Sequence, residues 1–258
     1  MRAPHVVSLH YRLAPVERVT FAKQAQAVEA ETDGFKVSLV DDSLVIEMLA
    51  HHATDESARA SVEPYLRAWE ISHALRVGGE PEFRFEFVRA EVIDRDPPPP
   101  GTPQTIEASS LMHARASFSA TASVERGSLP APPSTFFVDA DVETLWTRWR
   151  AYREGRQPLQ GMAYFVLTVL QMHGGRSAAT ARFGISSTVL KTLGTLSSET
   201  GDVTTARKAK AAARPPTPQE AAWLEAAVVA IIRRAGEVAA AGSATSLPRL
   251  TMADLPPP

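Results

Sequence analysis

The hydrophobic periodicity of the chain changes near residue 130, and this change limits the folds open to it. Before that point apolar and polar residues alternate, as in Phe83–Phe87, which is the period of a strand with one buried face. Beyond it, apolar residues recur every three or four positions, as they do along a helix. We therefore expect an α+β protein, with an N-terminal β-meander sheet and one packed helix over 1–128, followed by a C-terminal all-α helical domain.

Turn residues divide the first half into strands. Val6–Leu13 is predicted as the first strand, and Thr32-Asp33-Gly34 and Asp41-Asp42-Ser43 mark two hairpin turns. A helix is predicted from an N-cap at Ser61 to Arg76, with Pro64 in its first turn. A second long alternation, Met112–Glu125, predicts a strand that pairs with the one at Phe83 across a proline-rich loop.

Capping signals divide the second half into helices. A proline-rich linker is predicted over 129–137, helices over 138–241 and a disordered tail over 242–258. Asp139 or Asp141 is the expected first N-cap, and Thr217 with Glu220 forms a capping box for the last helix. The apolar stretch Met162–Met172 is expected at the centre of the bundle, since it is hydrophobic on nearly all sides.

The chain contains no cysteine, which excludes disulfides, thiolate nucleophiles and cysteine-ligated metal sites. Its N-terminus lacks the apolar stretch of a secretory signal, and its most apolar segment is about half as long as a membrane-spanning helix. We expect a cytoplasmic protein that makes no membrane contact. No cofactor is predicted, and the sequence does not indicate an oligomeric state.

Positive charge is concentrated in the second half. Residues 145–214 contain 11 Lys or Arg and 3 Asp or Glu, a local net charge of +8. Such a region suits phosphate or an acidic protein partner. A solvated, arginine-rich helix surface is the alternative interpretation.

The segment Arg176–Leu193 contains two short helical patterns, about 176–183 and 187–198, separated by Gly184-Ile185-Ser186. It resembles a helix-turn-helix, in which glycine permits the turn and the second helix enters a major groove. The resemblance implies a set of nucleic-acid contacts. Ser187, Thr188 and Lys191 point outward toward the DNA, and Arg176 and Arg182 lie near phosphates. An ordinary corner between two bundle helices is the alternative.

A second resemblance covers about 145–238. A core helix, a basic stretch around Arg207 and Lys208 and a long last helix resemble the arrangement of HEPN domains, helical modules of bacterial defence and toxin systems. In that family an arginine and a histidine four to six residues later form a metal-independent RNase site. No histidine follows Arg207, and the one such spacing, Arg67 to His73, lies in the other half.

The common enzyme motifs for nucleotides, zinc proteases and serine hydrolases are absent from the sequence. The polar cluster of His51, His52, Asp55 and Glu56 offers metal-binding side chains, but nothing fixes a third ligand, so a polar loop is the preferred interpretation. Trp146 and Trp149 are placed in the core rather than in base stacking. We predict no catalytic residues and no metal site, and lean against an enzyme.

The preferred interpretation is thus a non-enzymatic binding protein whose basic helical half contacts nucleic acid or an acidic protein surface. The alternatives are a divergent HEPN-like nuclease of a defence system and a pure protein-interaction module. Salt dependence separates them, because phosphate binding weakens steeply as salt rises.

Overall fold

The computed structural model describes residues 3–16, 19–22, 27–95, 124–126, 131–172, 174–199 and 214–258. The chain forms two compact units. The first comprises 1–73 and 81–133, and the second comprises 74–80 and 134–258. The boundary between the units at Pro133 falls inside the predicted linker 129–137. The sequence does not predict that residues 74–80 belong to the second unit.

The first unit contains an antiparallel sheet of five strands in the order β3-β4-β5-β1-β6. The strands are β1 Pro4–Pro15, β3 Val28–Glu31, β4 Phe35–Val40, β5 Ser43–Met48 and β6 Phe83–Asp94. The expected meander is confirmed, since β3, β4 and β5 pair in sequence and both hairpin turns lie where the turn residues predict them. β1, the first strand of the chain, lies between β5 and β6 and pairs antiparallel with both.

Helix α1, Asp55–Arg76, packs on this sheet through an apolar face that includes Val62, Leu66 and Trp69. Its capping residue, Thr54, lies seven positions before the N-cap predicted at Ser61. The Thr54 hydroxyl accepts the Ser57 amide at 3.2 Å, and so caps the helix, whereas the Ser61 hydroxyl donates to the Ala58 carbonyl within it. The helix tolerates Pro64 in its interior, where the sequence predicts a first-turn position.

A separate two-stranded sheet joins β2, Val19–Phe21, in parallel with β7, Val124–Arg126. The described end of the predicted strand 112–125 therefore pairs with β2 rather than with β6. The remainder of that predicted strand and the proline loop 97–101 lie outside the described residues.

The second unit contains the helices α2 Ala140–Arg153, α3 Leu159–Gln171, α4 Gly175–Phe183, α5 Ser187–Glu199 and α6 Pro218–Ala241. α3 contacts each of the other four, so the most apolar helix occupies the centre of the bundle. The α+β fold class is confirmed, with the antiparallel sheet followed by helices. Trp146 and Trp149 are buried in this unit, as the helical spacing predicts.

Local sequence explains where these helices begin. The Asp139 carboxylate accepts the Val142 amide at 2.8 Å at the start of α2, and Thr217 and Glu220 form the predicted capping box at the start of α6. Among the helices of the described ranges, none combines the length and the apolar composition that crossing a bilayer requires.

Candidate functional site

The three residues between α4 and α5 form a tight turn. Gly184 adopts left-handed angles, φ 61° and ψ 33°, which glycine tolerates and most residues avoid. Ile185 is fully buried, and the Ser186 hydroxyl accepts the Val189 amide at 3.3 Å. The two helices and the turn thus lie where the sequence predicts them, while a role in nucleic-acid binding stays a prediction.

The C-terminal segment contacts this turn. Leu250 donates a 2.9 Å backbone hydrogen bond to the Gly184 carbonyl and accepts a 2.8 Å one from the Ser186 amide. These bonds satisfy backbone groups that a short turn between helices otherwise leaves unpaired. The structure therefore differs from the expected disordered tail 242–258, since Leu250 is buried and a 3-10 helix, Met252–Asp254, follows it.

Helix α5 divides into a buried and an exposed face. Its buried side chains are Val189, Leu190, Leu193, Leu196 and Ser197. The three residues of α5 that are predicted to face nucleic acid, Ser187, Thr188 and Lys191, are all exposed. They share the opposite face, so a partner can contact them without disturbing the core.

The two predicted phosphate-contacting arginines lie in different places. Arg182 pairs with Asp141 at 2.7 Å and lies over the Phe183 ring, 5.0 Å from its centroid. Arg176, at the start of α4, instead lines a groove that Lys191 also lines. The structure therefore brings Arg176 and Lys191 to one site and leaves Arg182 outside it.

This groove lies between α3, α4 and α5 and has a volume of about 390 Å³. α3 contributes Tyr164, Leu167, Thr168 and Gln171 to its lining, and the middle and end of α5 contribute Lys191, Gly194, Thr195, Ser198 and Glu199. Its wall thus combines two cations, one carboxylate and several uncharged polar groups. The exposed face of α5 runs from Ser187 into it.

Most arginines of the helical unit are already paired with carboxylates. The pairs are Arg150 and Arg156 with Glu154, Arg153 with Glu80, Arg182 with Asp141, Arg214 with Glu220 and Arg234 with Glu237. Arg148 lies over the Phe165 ring. Within the described part of the chain, Arg176 and Lys191 make no ion pair, so their charge is available to a ligand. Arg207, Lys208 and Lys210 lie outside the described residues.

No family model, no curated protein and no solved structure matches this chain. The candidate site therefore rests on its own residues, and both resemblances stay predictions.

The spacing that the HEPN interpretation requires falls on α1. There His73 is 7% exposed and lies 2.8 Å from Glu82, while Arg67 pairs with Glu70. A buried histidine held by a carboxylate and packed on the rings of Phe21 and Phe83 offers a substrate little access.

The cluster considered for metal binding is occupied by local contacts. His51 stacks on His5, with ring centroids 5.2 Å apart, and His52 Nδ1 lies 3.0 Å from the Ser57 hydroxyl. Burial and the neighbouring charges of Arg95 and the two other histidines lower the pKa of His5, which disfavours its charged form. No group of three His, Asp or Glu side chains suited to a metal occurs in the described ranges.

Sequence reasoning missed the α3 side of the groove and Gly194. Gln171 is a polar residue at the end of an otherwise apolar run, and Gly194 interrupts a helical pattern. Both are visible as irregularities, but only tertiary packing shows that they meet Arg176 and Lys191.

Proposed function

We propose that this protein binds nucleic acid through the exposed face of α5, with Ser187 and Thr188 toward the base edges and Lys191 and Arg176 toward the phosphates. The observation that supports the proposal most directly is the left-handed Gly184 turn, from which α5 begins with its polar face exposed and its apolar face buried. Arg182 is left out of the contact set, because it is engaged by Asp141.

Charge favours an anionic partner at this face. Lys191 is exposed, and neither it nor Arg176 makes an ion pair within the described residues. A duplex carries one phosphate charge per about 1.7 Å of helix axis and is surrounded by condensed counterions. Contact between its phosphates and these two cations releases counterions, which favours binding.

The test is fluorescence anisotropy with labelled duplex and single-stranded DNA and RNA at about 50 mM and about 200 mM salt. Lys191→Glu is expected to weaken binding about tenfold at the lower salt, because it replaces an attraction to phosphate with a repulsion that salt screens. The matched control is Lys36→Glu, an exposed lysine on β4 in the first unit.

Both variants are expected to keep the wild-type circular dichroism spectrum and melting temperature, since both side chains are exposed. The proposal fails if the wild-type protein binds no nucleic acid at the lower salt, or if Lys36→Glu weakens binding as much as Lys191→Glu does.

A further inference from the structure

The groove between α3, α4 and α5 has an unusual floor at Gly194. A Cβ atom at this position would lie 3.2 Å from Arg176 Nη2 and 3.2 Å from Leu167 Cδ2. Glycine is a poor helix former, yet it stands in the interior of α5. Its missing side chain leaves space for the Arg176 guanidinium to lie across the helix, and so directs that cation into the groove.

Gln171, which lines the groove, has an unused hydrogen-bond donor. The side-chain nitrogen of Gln171 is buried and has no hydrogen-bond partner among the described residues. A buried donor without a partner costs free energy that a bound acceptor would recover. The neighbouring hydroxyls of Thr168 and Ser198 are already used, since they donate to the carbonyls of Tyr164 and Gly194 at 2.9 and 2.6 Å.

The donors that remain for a ligand therefore include a guanidinium, an ammonium and an amide, on Arg176, Lys191 and Gln171. This set suits an oxyanion that has several acceptor oxygens and carries at least one negative charge. Glu199, which also lines the groove, sets a limit on charge, because it leaves the lining with a surplus of one positive charge. A single phosphate group matches both the donors and that surplus.

We propose that this groove is a phosphate-binding site, and that the phosphate it holds belongs to the backbone of the nucleic acid contacted by α5. The identity of the phosphate's source rests on the proposed function, whereas the groove's affinity for phosphate does not. Lys191 connects the two, since it lies both in the groove lining and on the exposed face that begins at Ser187.

The experiment compares Arg176→Gln, Gln171→Leu and Gly194→Ala with Arg156→Gln, an exposed arginine outside the groove. Binding of a labelled duplex is measured across a salt series, and binding of inorganic pyrophosphate is measured by calorimetry on the same proteins. Circular dichroism checks that each variant is folded.

Arg176→Gln is expected to lower the slope of log K against log salt by about 0.9, because one phosphate contact by a cation is lost. Gln171→Leu is expected to weaken binding severalfold at every salt concentration without changing the slope, since it removes an uncharged donor. Gly194→Ala is expected to weaken binding although alanine favours the helix, because its Cβ displaces the guanidinium.

The outcomes separate this proposal from the proposed function. The groove proposal is overturned if all three groove variants bind the duplex with unchanged affinity and salt slope. It is also overturned if Arg156→Gln loses as much duplex affinity as the groove variants do. Pyrophosphate binding that is lost in Arg176→Gln, in a protein that binds no duplex, supports the phosphate site with a free phosphorylated molecule as its source and overturns the nucleic-acid role. Absence of binding to both probes overturns both proposals.

Discussion

The indole nitrogen of Trp149 donates a 2.7 Å hydrogen bond to the backbone carbonyl oxygen of Gly79. The indole ring of Trp149 covers Gly79, and both are in the second unit, although Gly79 follows directly on the end of α1. A Cβ on Gly79, which has φ +84°, would lie 2.6 Å from Trp149 Nε1. Glycine is required here both by the backbone angle and by the ring.

Gly79→Ala is expected to lower the free energy of unfolding by about 2–5 kcal/mol, since it adds a clash with a buried ring to the strain of a positive φ. Gly78→Ala is the matched control. Its φ is +101°, but nothing lies within 4 Å of the added Cβ, so only backbone strain of about 1–2 kcal/mol is expected. Chemical denaturation of both variants measures the difference, and equal losses would show that the ring contact contributes nothing.

Ile231 is fully buried on α6 and belongs to the apolar face that the sequence predicts for this helix. Ile231→Ala is expected to destabilise the protein by about 2–5 kcal/mol, as large-to-small changes at buried aliphatic positions do. Arg249→Ala, at an exposed position, is expected to change stability by less than about 0.5 kcal/mol. Similar denaturation midpoints for the two variants would contradict the placement of Ile231 in the core.

Removal of residues 249–258 is expected to increase hydrogen exchange at the Ser186 amide, because that amide donates to the Leu250 carbonyl. The Leu190 amide donates to the Ser186 carbonyl within the chain that remains, and serves as the internal reference. Exchange is measured by NMR on the full-length and truncated proteins. If the Ser186 amide stays as protected as before, the C-terminal segment does not hold the turn.

Glu220 provides a test by pH. Its carboxylate accepts two 2.6 Å hydrogen bonds from Arg214 and a 2.8 Å one from the Thr217 amide, and these contacts lower its pKa from 4.5 to about 2. A carboxyl with a lowered pKa stabilises the fold above its unfolded-state pKa, and this contribution is lost as pH falls through the folded-state value.

The difference in melting temperature between wild type and Glu220→Gln is therefore expected to be constant above about pH 5 and to shrink between 4.5 and about 2. Glu154→Gln is the control for the general loss of ion pairs in acid. The Glu154 carboxylate pairs with Arg150 at the C-terminal end of α2 and caps no helix N-terminus. A Glu220→Gln difference that does not depend on pH would show that the capping contacts do not set this pKa.

The features that sequence predicts best are those set by neighbouring residues. The capping box of Thr217 and Glu220 and the Asp139 cap depend on contacts within a few positions, and both are present. The left-handed turn at Gly184 is likewise indicated by the glycine itself. The predicted start of α1 at Ser61 is wrong, because Thr54 followed by acidic residues is also a start signal and lies closer to the preceding strand.

The features that sequence misses depend on contacts between distant residues. Nothing near Leu250 indicates that its backbone pairs with Gly184 and Ser186, and a proline-rich end is ordinarily read as tail. The groove is missed for the same reason. The sequence identifies Arg176 and Lys191 as candidate contacts because they are charged. Gln171 belongs to a helix whose pattern indicates only core positions, so the sequence does not identify it as part of the groove.

The transfer of 74–80 to the second unit makes both units discontinuous in sequence, since 81–133 is inserted into one and 74–80 into the other. Neither unit can therefore be expressed from one continuous segment of the chain. A gene fragment that begins at Ser134 encodes Trp149 without the Gly79 carbonyl that accepts its hydrogen bond, and Arg153 without its partner Glu80. During synthesis, the last turn of α1 leaves the ribosome before α2 has been made. Residues 74–80 therefore emerge before the helices of their own unit exist.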